Sequence, residues 1–332
     1  MLTVTLVATL ATAALWQQWR DVEIEAAERS RIQLAWVLQG ALDWARLILR
    51  EDARTSEVDH LSEPWAVPLA EARLSSFLAV DANNTDDAMD SFLSGQITDQ
   101  QGLLNVANLV VDGKRSEVGF KAFQRLFALL QLPLGELEQL TARLVEATGT
   151  AGNTGATGLA STVIRAIPAT NSAGTDNAGT LTGSRPLAPE RLDQLLWLGL
   201  SPMTLRTLRP YVTLLPVPTA LNLNTAPDVV IYAAVPGLEL GQAQQMVGRR
   251  QQSHFKTPAD AWKAANLTVE PTDALAFSVA SRYFLVRGRL RLGDQVVQEA
   301  SLVERRGTDV SVLWRQREAS PDAAQNVTAS LQ

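Results

Sequence analysis

The first nineteen residues, Met1 to Trp19, carry no charged side chain, and the pattern beyond them keeps the period of a helix without a break. A run of that length approaches the roughly 20 residues needed to cross the core of a bilayer. Met1, Leu6, Leu10 and Leu15 supply its apolar surface. Trp16 and Trp19 stand where an aromatic belt anchors the outer end of a span, so these six are the expected membrane-anchor residues. A secretory signal peptide is the rival reading. It needs a basic stretch ahead of the apolar run and a small-residue cleavage site followed by a loop or new domain. Here no Lys or Arg precedes Arg20, and the helical pattern does not stop.

Ala27, Leu34, Leu38, Ala41, Leu42, Ala45, Ile48 and Leu49 recur at intervals of three and four, which makes one apolar stripe on a helix. Arg20, Asp21, Glu23, Glu25, Glu28, Arg29 and Arg31 alternate in sign, as a solvated helix face does. The pattern predicts a single helix from Met1 to about Arg50, a membrane half joined to an amphipathic stalk. The stalk packs against its own globular domain through Leu34, Leu38, Leu42 and Ala45. A single-pass anchor carrying an unrelated soluble domain is the plainer alternative, which pattern alone leaves open.

A chain of 332 residues, 46% hydrophobic, holds enough apolar material for two or three compact units. Its net charge of -6 argues against the basic footprint of a nucleic-acid binder. With no Cys, disulfides, thiolate metal sites and a Cys nucleophile are excluded, and an exported fold must rest on packing or on oxygen-ligated metal ions. Only His60 and His254 occur, both expected at the surface and neither in a ligand spacing, so a zinc site or a Ser-His-Asp arrangement lacks material. No pair of acids is fixed by spacing into an acid/base constellation. The chain reads as a non-enzyme that requires no cofactor.

Thr55 to Glu63 is a polar breaker, and Pro64 and Pro68 exclude a helix interior for the segment that follows. Ala72 to Val80 reads as a strand or a short helix. Asp81 to Asp87 is an acidic loop whose start imitates a calcium loop. An EF-hand requires Gly at the sixth position and Glu at the twelfth, where this chain has Asp86 and Phe92, so a solvated loop or helix cap is the expectation. Asp81, Asn83 and Asp86, with Asp99 further on, are the candidate oxygen ligands for a metal. Asn105 and Asn108 place side-chain amides at a tight bend. Phe120, Phe123, Leu126, Phe127 and Leu130 repeat at helical spacing up to Pro133, and a second helix is expected from Leu134 to Ala147. Thr148 to Gly183 is dominated by Gly, Ala, Thr, Ser and Asn, a composition that cannot bury a core and is expected to be a flexible excursion. It lacks Lys and does not match a phosphate-binding loop.

Helical periodicity returns at Leu192, Leu195, Leu196, Leu198 and Leu200, before an extended run from Arg209 to Pro218. In Leu221-Asn222-Leu223-Asn224-Thr225-Ala226-Pro227, Thr225 is the expected N-cap of a helix from Ala226 to Ala234. Pro236-Gly237 turns the chain into a second helix from Gln242 to Arg250. The unit resembles the helix-hairpin-helix of competence-type DNA-binding proteins. Its hairpin is longer, however, and carries Glu239 where a phosphate would approach. Arg249, Arg250 and Lys256 keep a membrane-anchored DNA receptor as the alternative. The period then switches to two. Tyr283 to Leu292, Gln295 to Arg306 and Asp309 to Arg317 read as an antiparallel meander, with Arg287, Arg289 and Arg291 on one solvated face balanced by cross-strand acids such as Glu299. Ser320 to Gln332 reads as a frayed tail.

The helix-plus-meander arrangement is similar to the type IV pilin-like proteins. Within them the chain resembles the general secretion pathway protein K family, the large minor pseudopilins of type II secretion. The resemblance rests on Glu63-Pro64-Trp65-Ala66, Thr98-Asp99-Gln100-Gln101-Gly102, the segments around Asn105 and Asn222 to Pro227, and Val312-Leu313-Trp314-Arg315. It implies an α+β fold, a pilin-like long helix with an antiparallel sheet, interrupted by an all-α insertion of two SAM-like units. The implied boundaries are 1–50 for anchor and stalk, 51–96 for head, 97–210 and 211–275 for the two helical units, 276–317 for the closing strands and 318–332 for the tail. The resemblance also implies a non-catalytic protein of the bacterial inner membrane, single-pass with its head in the periplasm, at the tip of the pseudopilus. Its implied partners are minor pseudopilins I and J. Some family members bind calcium, so structural calcium is the one cofactor the resemblance admits. A prepilin also carries a basic leader ending in Gly; none precedes Met1 as written, so prepilin peptidase is an expected partner only of a form with such a leader. Val106-Ala107 departs from the more Asn-rich run of relatives. A periplasmic hydrolase has support only at the level of composition.

Overall fold

A computed structural model of the chain describes residues 2–73, 91–148, 186–267, 274–292 and 295–318. The chain divides into two compact units, one made of residues 1–100 and 280–332 and the other of residues 101–279. The expected division at 97 and 276 is thus shifted. Residues 97–99 complete a strand of the first unit, and Phe277–Ser278 pairs within the second.

Helix α1 runs from Leu2 to Thr55, five residues beyond the expected end at Arg50. Among the described residues no helix is long and apolar enough to cross a membrane. The run to Trp19 lacks charge, but Thr3, Thr5, Thr9, Thr12, Gln17 and Gln18 dilute its apolar surface. Freedom from charge alone therefore overstates how apolar the expected span is. Further along, Leu34, Leu38, Leu42, Ala45 and Leu49 are buried, one face of a 3.6-residue period laid on a sheet.

The sheet is antiparallel and has the order β1-β2-β9-β10-β11, with β1 at Leu69–Arg73, β2 at Ser91–Asp99, β9 at Tyr283–Leu292, β10 at Gln295–Arg306 and β11 at Asp309–Glu318. Alternation sends Ile97, Phe284, Val286 and Val303 to the helix side, where they meet Leu42, Ala45, Leu49 and Trp65. Trp65 stands edge-on to Phe284 with ring centroids 5.2 Å apart. Gly95 and Gly288 oppose each other in the β2–β9 register, and a Cβ at Gly288 would come within 3.2 Å of Leu38 Cδ2. The helix reaches the sheet this closely because no side chain stands at Gly288. One edge strand, β11, carries a register shift opposite Leu302 and Val303 and ends in Arg315, Arg317 and Glu318, features that discourage edge-to-edge pairing. The arginine row of β9 is charge-balanced, though not by the expected partner. Arg291 meets Glu71 and Arg287 meets Glu318, whereas buried Glu299 pairs with Arg315.

The second unit contains α2 (Glu117–Leu129), α3 (Leu134–Thr148), α4 (Pro202–Leu208), α5 (Asp228–Ala234), α6 (Leu240–Gln252) and α7 (Pro258–Ala264) around one core. Leu126, Phe127, Leu137, Val230, Ile231 and Met246 are fully enclosed in it. One short parallel pair closes each half. Strand β3 (Leu104–Asn105) lies beside β6 (Val212–Thr213), and β7 (Leu221–Asn222) beside β8 (Phe277–Ser278), while β4 (Val110–Val111) and β5 (Lys114–Arg115) form a short antiparallel pair. The first pair assigns Val212 and Thr213 to the first half and moves the expected boundary at 211 beyond them.

Each half is closed by asparagines that replace missing ladder bonds. Asn105 Oδ1 accepts from the Ala107 and Leu215 N–H groups, and its Nδ2 donates to the Val217 carbonyl. Asn108 grips both backbone groups of Thr219, and Asn224 grips both of Phe255, at 2.8 to 3.0 Å. These amides satisfy buried backbone that no helix or strand serves. Thr225 does not cap α5 as expected. Pro227 occupies the N-cap, and the Thr225 hydroxyl lies in the path of a Cβ at Gly102, at 2.7 Å.

Candidate functional site

Two features of the first unit bear on function: the outer surface of α1 and its attachment to the sheet. Of the residues expected to anchor the chain, Leu6, Leu10, Leu15, Trp16 and Trp19 are all well exposed, Leu15 at 68%, and Met1 lies outside the described residues. Leu34, Leu38, Leu42 and Ala45, expected to pack the stalk, face the sheet and are buried. On the opposite face Ile32, Trp36 and Leu47 are exposed, Trp36 at 72%; Trp44, half-exposed, stands at the flank, where it also lines a cavity beside Leu38, Ala45 and Trp65, and Gly40 between the two tryptophans leaves an open notch. Sequence reading missed this second stripe. Arg31, Gln33, Asp43, Arg46 and Arg50 are interleaved with it, which lowers its contrast with an ordinary solvated face.

At the far end of α1, Arg305 reaches in from β10. One of its terminal nitrogens lies 2.7 Å from Asp52 Oδ2, and the other lies 2.5 Å and 2.7 Å from the two Asp59 oxygens. The guanidinium also donates to the Ser281 carbonyl and lies 4.8 Å from the centre of the Phe284 ring. Ser281 donates its N–H to Asp59 and its hydroxyl to Asp99 Oδ2. Glu63 Oε2 accepts from the His60 backbone N–H and from the Trp65 indole. His60, expected at the surface, is half-buried, its Nε2 3.8 Å from Glu63 Oε1. Burial, with Glu63 alongside, pushes the Asp52 carboxyl up to about 6 against the pull of Arg305. Burial likewise raises Asp59, opposed by Arg305 and the Ser281 N–H. Nothing in the sequence marks this cluster, because Arg305 stands 253 positions from Asp52.

Asp52, Asp59 and Glu63 bring carboxylate oxygens within 4.8 Å of one another, the one such group among the described residues. A calcium ion does not fit there. The Arg305 guanidinium occupies the cation position between Asp52 and Asp59, and Glu63 is taken by N–H donors. Asp99, a metal candidate from the sequence, accepts the Ser281 hydroxyl and is not in that group. Asp81, Asn83 and Asp86 lie outside the described residues.

The candidate DNA-contacting side chains are dispersed. Arg250 is buried, and its guanidinium donates to the Leu223 carbonyl at 2.7 Å; burial lowers it to about 10. Glu239 caps the N-terminus of α6, where a phosphate would have to sit. Arg249 and Lys256 remain exposed.

Family models described as type II secretion system protein K match residues 102–217 and 221–279, together more than half of the chain. Type II secretion system protein K of Pseudomonas aeruginosa is 29% identical over 326 residues, covering 95% of this chain and 86% of that protein. Among solved structures, the fold is similar to a chain in the crystal structure of the GspK-GspI-GspJ complex from the type 2 secretion system of enterotoxigenic Escherichia coli. The TM-score is 0.65 at 18% identity, over 89% of this chain and 99% of that one. Both family matches fall inside the helical unit, and their division between 217 and 221 coincides with the end of the first asparagine-clasped half.

Proposed function

The chain belongs to the type II secretion system protein K family, and from that membership we propose that this minor pseudopilin caps the periplasmic pseudopilus and helps to start its assembly. The observation that carries the reading is the insertion of a whole helical unit, residues 101–279, between β2 and β9 of a pilin-like head. On this reading a subunit enlarged in this way ends the filament, and growth proceeds beneath it. Its partners are minor pseudopilins I and J, as in the complex named for the Escherichia coli relative. Their helices cover the exposed stripe of Ile32, Trp36, Trp44 and Leu47, because an apolar helix face of this kind gains by burial. The role is structural and non-catalytic. Before assembly the first part of α1, as far as Trp19, holds the subunit in the inner membrane as a single pass, with the head in the periplasm. The support for this is its freedom from charge and the outward Leu6, Leu10, Leu15, Trp16 and Trp19, and its threonines suit later packing against sister helices.

The test is to co-purify the full chain in detergent with pseudopilins I and J and measure the mass by light scattering. A stable ternary species supports the reading, and failure of all three to associate refutes it. Repeating the measurement with a chelator tests the calcium expectation. A membrane-anchored DNA receptor would instead shift duplex DNA in a salt-dependent way. The buried Arg250 and the acid-capped α6 disfavour that outcome.

A further inference from the structure

The attachment of α1 to the sheet is built from buried charge in unequal numbers. Asp52, Asp59, Glu63 and Asp99 are all buried, and among the described residues Arg305 is the one buried cation set between Asp52 and Asp59. Every one of these carboxylates accepts a hydrogen bond, so rearranging bonds cannot relieve the excess negative charge. Uptake of a proton can. We propose that the junction is an acid-tightened latch, in which a proton taken up at Asp52 removes repulsion among the carboxylates while Arg305 keeps its bonds to both aspartates. This inference rests on the geometry of the first unit and not on the secretion role.

The groups that face the latch come from each element around it. Helix α1 contributes Asp52, with the Leu49 carbonyl also accepting from Arg305. The connection after α1 contributes Asp59, His60 and Glu63, β10 contributes Arg305, and Asp99 of β2 is linked through Ser281. Glu304, next to Arg305, is instead engaged by Arg282, Arg306 and Tyr283; those bonds hold its carboxyl below its usual range although burial acts the other way. Asp52 in the folded chain stands at about 6, above its ordinary 3.8. Between those values the folded state binds more protons than the unfolded one. The junction is therefore strengthened as pH falls through 6 and weakened as pH rises through it. From pH 7.5 to 5.0 the closed state gains about tenfold by this linkage. Asp59 shifts in the same direction. Protonation of His60 near Glu63 would also add favourable charge, so its part must be separated.

The experiment is hydrogen exchange on the full chain in detergent from pH 5.0 to 7.5, corrected for intrinsic rates. It follows the amides of residues 49–55 and 303–305, with those of α2 as internal reference. Opening at the junction is expected to be about tenfold rarer at pH 5.0 than at pH 7.5. D52N should flatten the profile, and H60Q should retain it. A flat or reversed profile in the native chain overturns the latch, as does a full pH response in D52N or loss of the response in H60Q. If D52N does not fold, the native and H60Q profiles still decide between these outcomes.

Discussion

Gly119 lies in the first turn of α2, and the structure predicts the opposite of what helix propensity predicts for G119A. In an exposed helix the change gains about 1 kcal/mol. Here an added Cβ would stand 2.0 Å from the Asn108 carbonyl oxygen and 2.8 Å from its carbon, both backbone atoms. Relief requires a backbone shift of about 1 Å, since nonbonded atoms settle near 3.5 Å and real Cβ atoms do not come within about 3 Å of backbone. Neither side yields freely. The first turn of α2 is capped by Ser116 and seated by Phe120 and Phe123 in the core. The Asn108 turn is held by the two bonds between Asn108 and Thr219. Overpacking of this kind costs about 1–3 kcal/mol, and breaking the Asn108 clasp adds about 1 kcal/mol for each bond lost. Net of the propensity gain, G119A is expected to destabilise the helical unit by about 2–4 kcal/mol, a fall in Tm on the order of 10 °C. Urea and thermal unfolding measure the loss, and hydrogen exchange at residues 105–109 and 215–219 places it. Gly135, exposed in α3 with nothing within 4 Å of an added Cβ, is the control, and G135A should be neutral or slightly stabilising. An unchanged or raised stability in G119A would refute the close-approach argument.

Replacing Arg305 with Met leaves Asp52 and Asp59 buried without their guanidinium; the expected loss is about 3–5 kcal/mol at pH 7.5 in chemical denaturation. Because the stranded carboxyls sit above their ordinary range, R305M should recover part of that loss as pH falls towards 5. The Asn224→Ala change strips both backbone groups of Phe255 of their partner, and a loss of about 2–3 kcal/mol is expected by urea titration of the helical unit. The pair W36S and W44S, on the exposed face of α1, should leave unfolding of the isolated chain within about 0.5 kcal/mol of native. The same pair should weaken co-purification with pseudopilins I and J by at least tenfold, and unimpaired assembly would move the partner face elsewhere.

Much of the fold can be read along the chain because its determinants are local. The switch of apolar period from 3.6 to 2 places β9 at Tyr283–Leu292 and β10 at Gln295–Arg306, and the aromatic spacing from Phe120 to Leu130 marks α2. Local signals mislead where a side chain serves distant backbone. Thr225 has the chemistry of a cap, yet its hydroxyl lies against Gly102, and the helix begins after Pro227. The extended run from Arg209 to Pro218 is divided by the expected boundary at 211, and only the pairing of Val212 and Thr213 with Leu104 and Asn105 assigns it to the first helical half.

The sequence alone determined a long helix with one apolar stripe, a closing antiparallel meander and several helical segments between them. Those follow from periodicity and from where Gly, Pro and Asn interrupt it. It also pointed to the family, through short segments spread from Glu63 to Arg315. Only the tertiary structure decided that α1 carries two apolar faces, one spent on its own sheet and one left open, and that Arg305 closes the junction with Asp52 and Asp59. The physical reason is the same in both cases. Burial and charge compensation belong to neighbours in space, and such neighbours lie far apart along the chain, Arg305 and Asp52 by 253 positions and Arg46 and Val310 by 264.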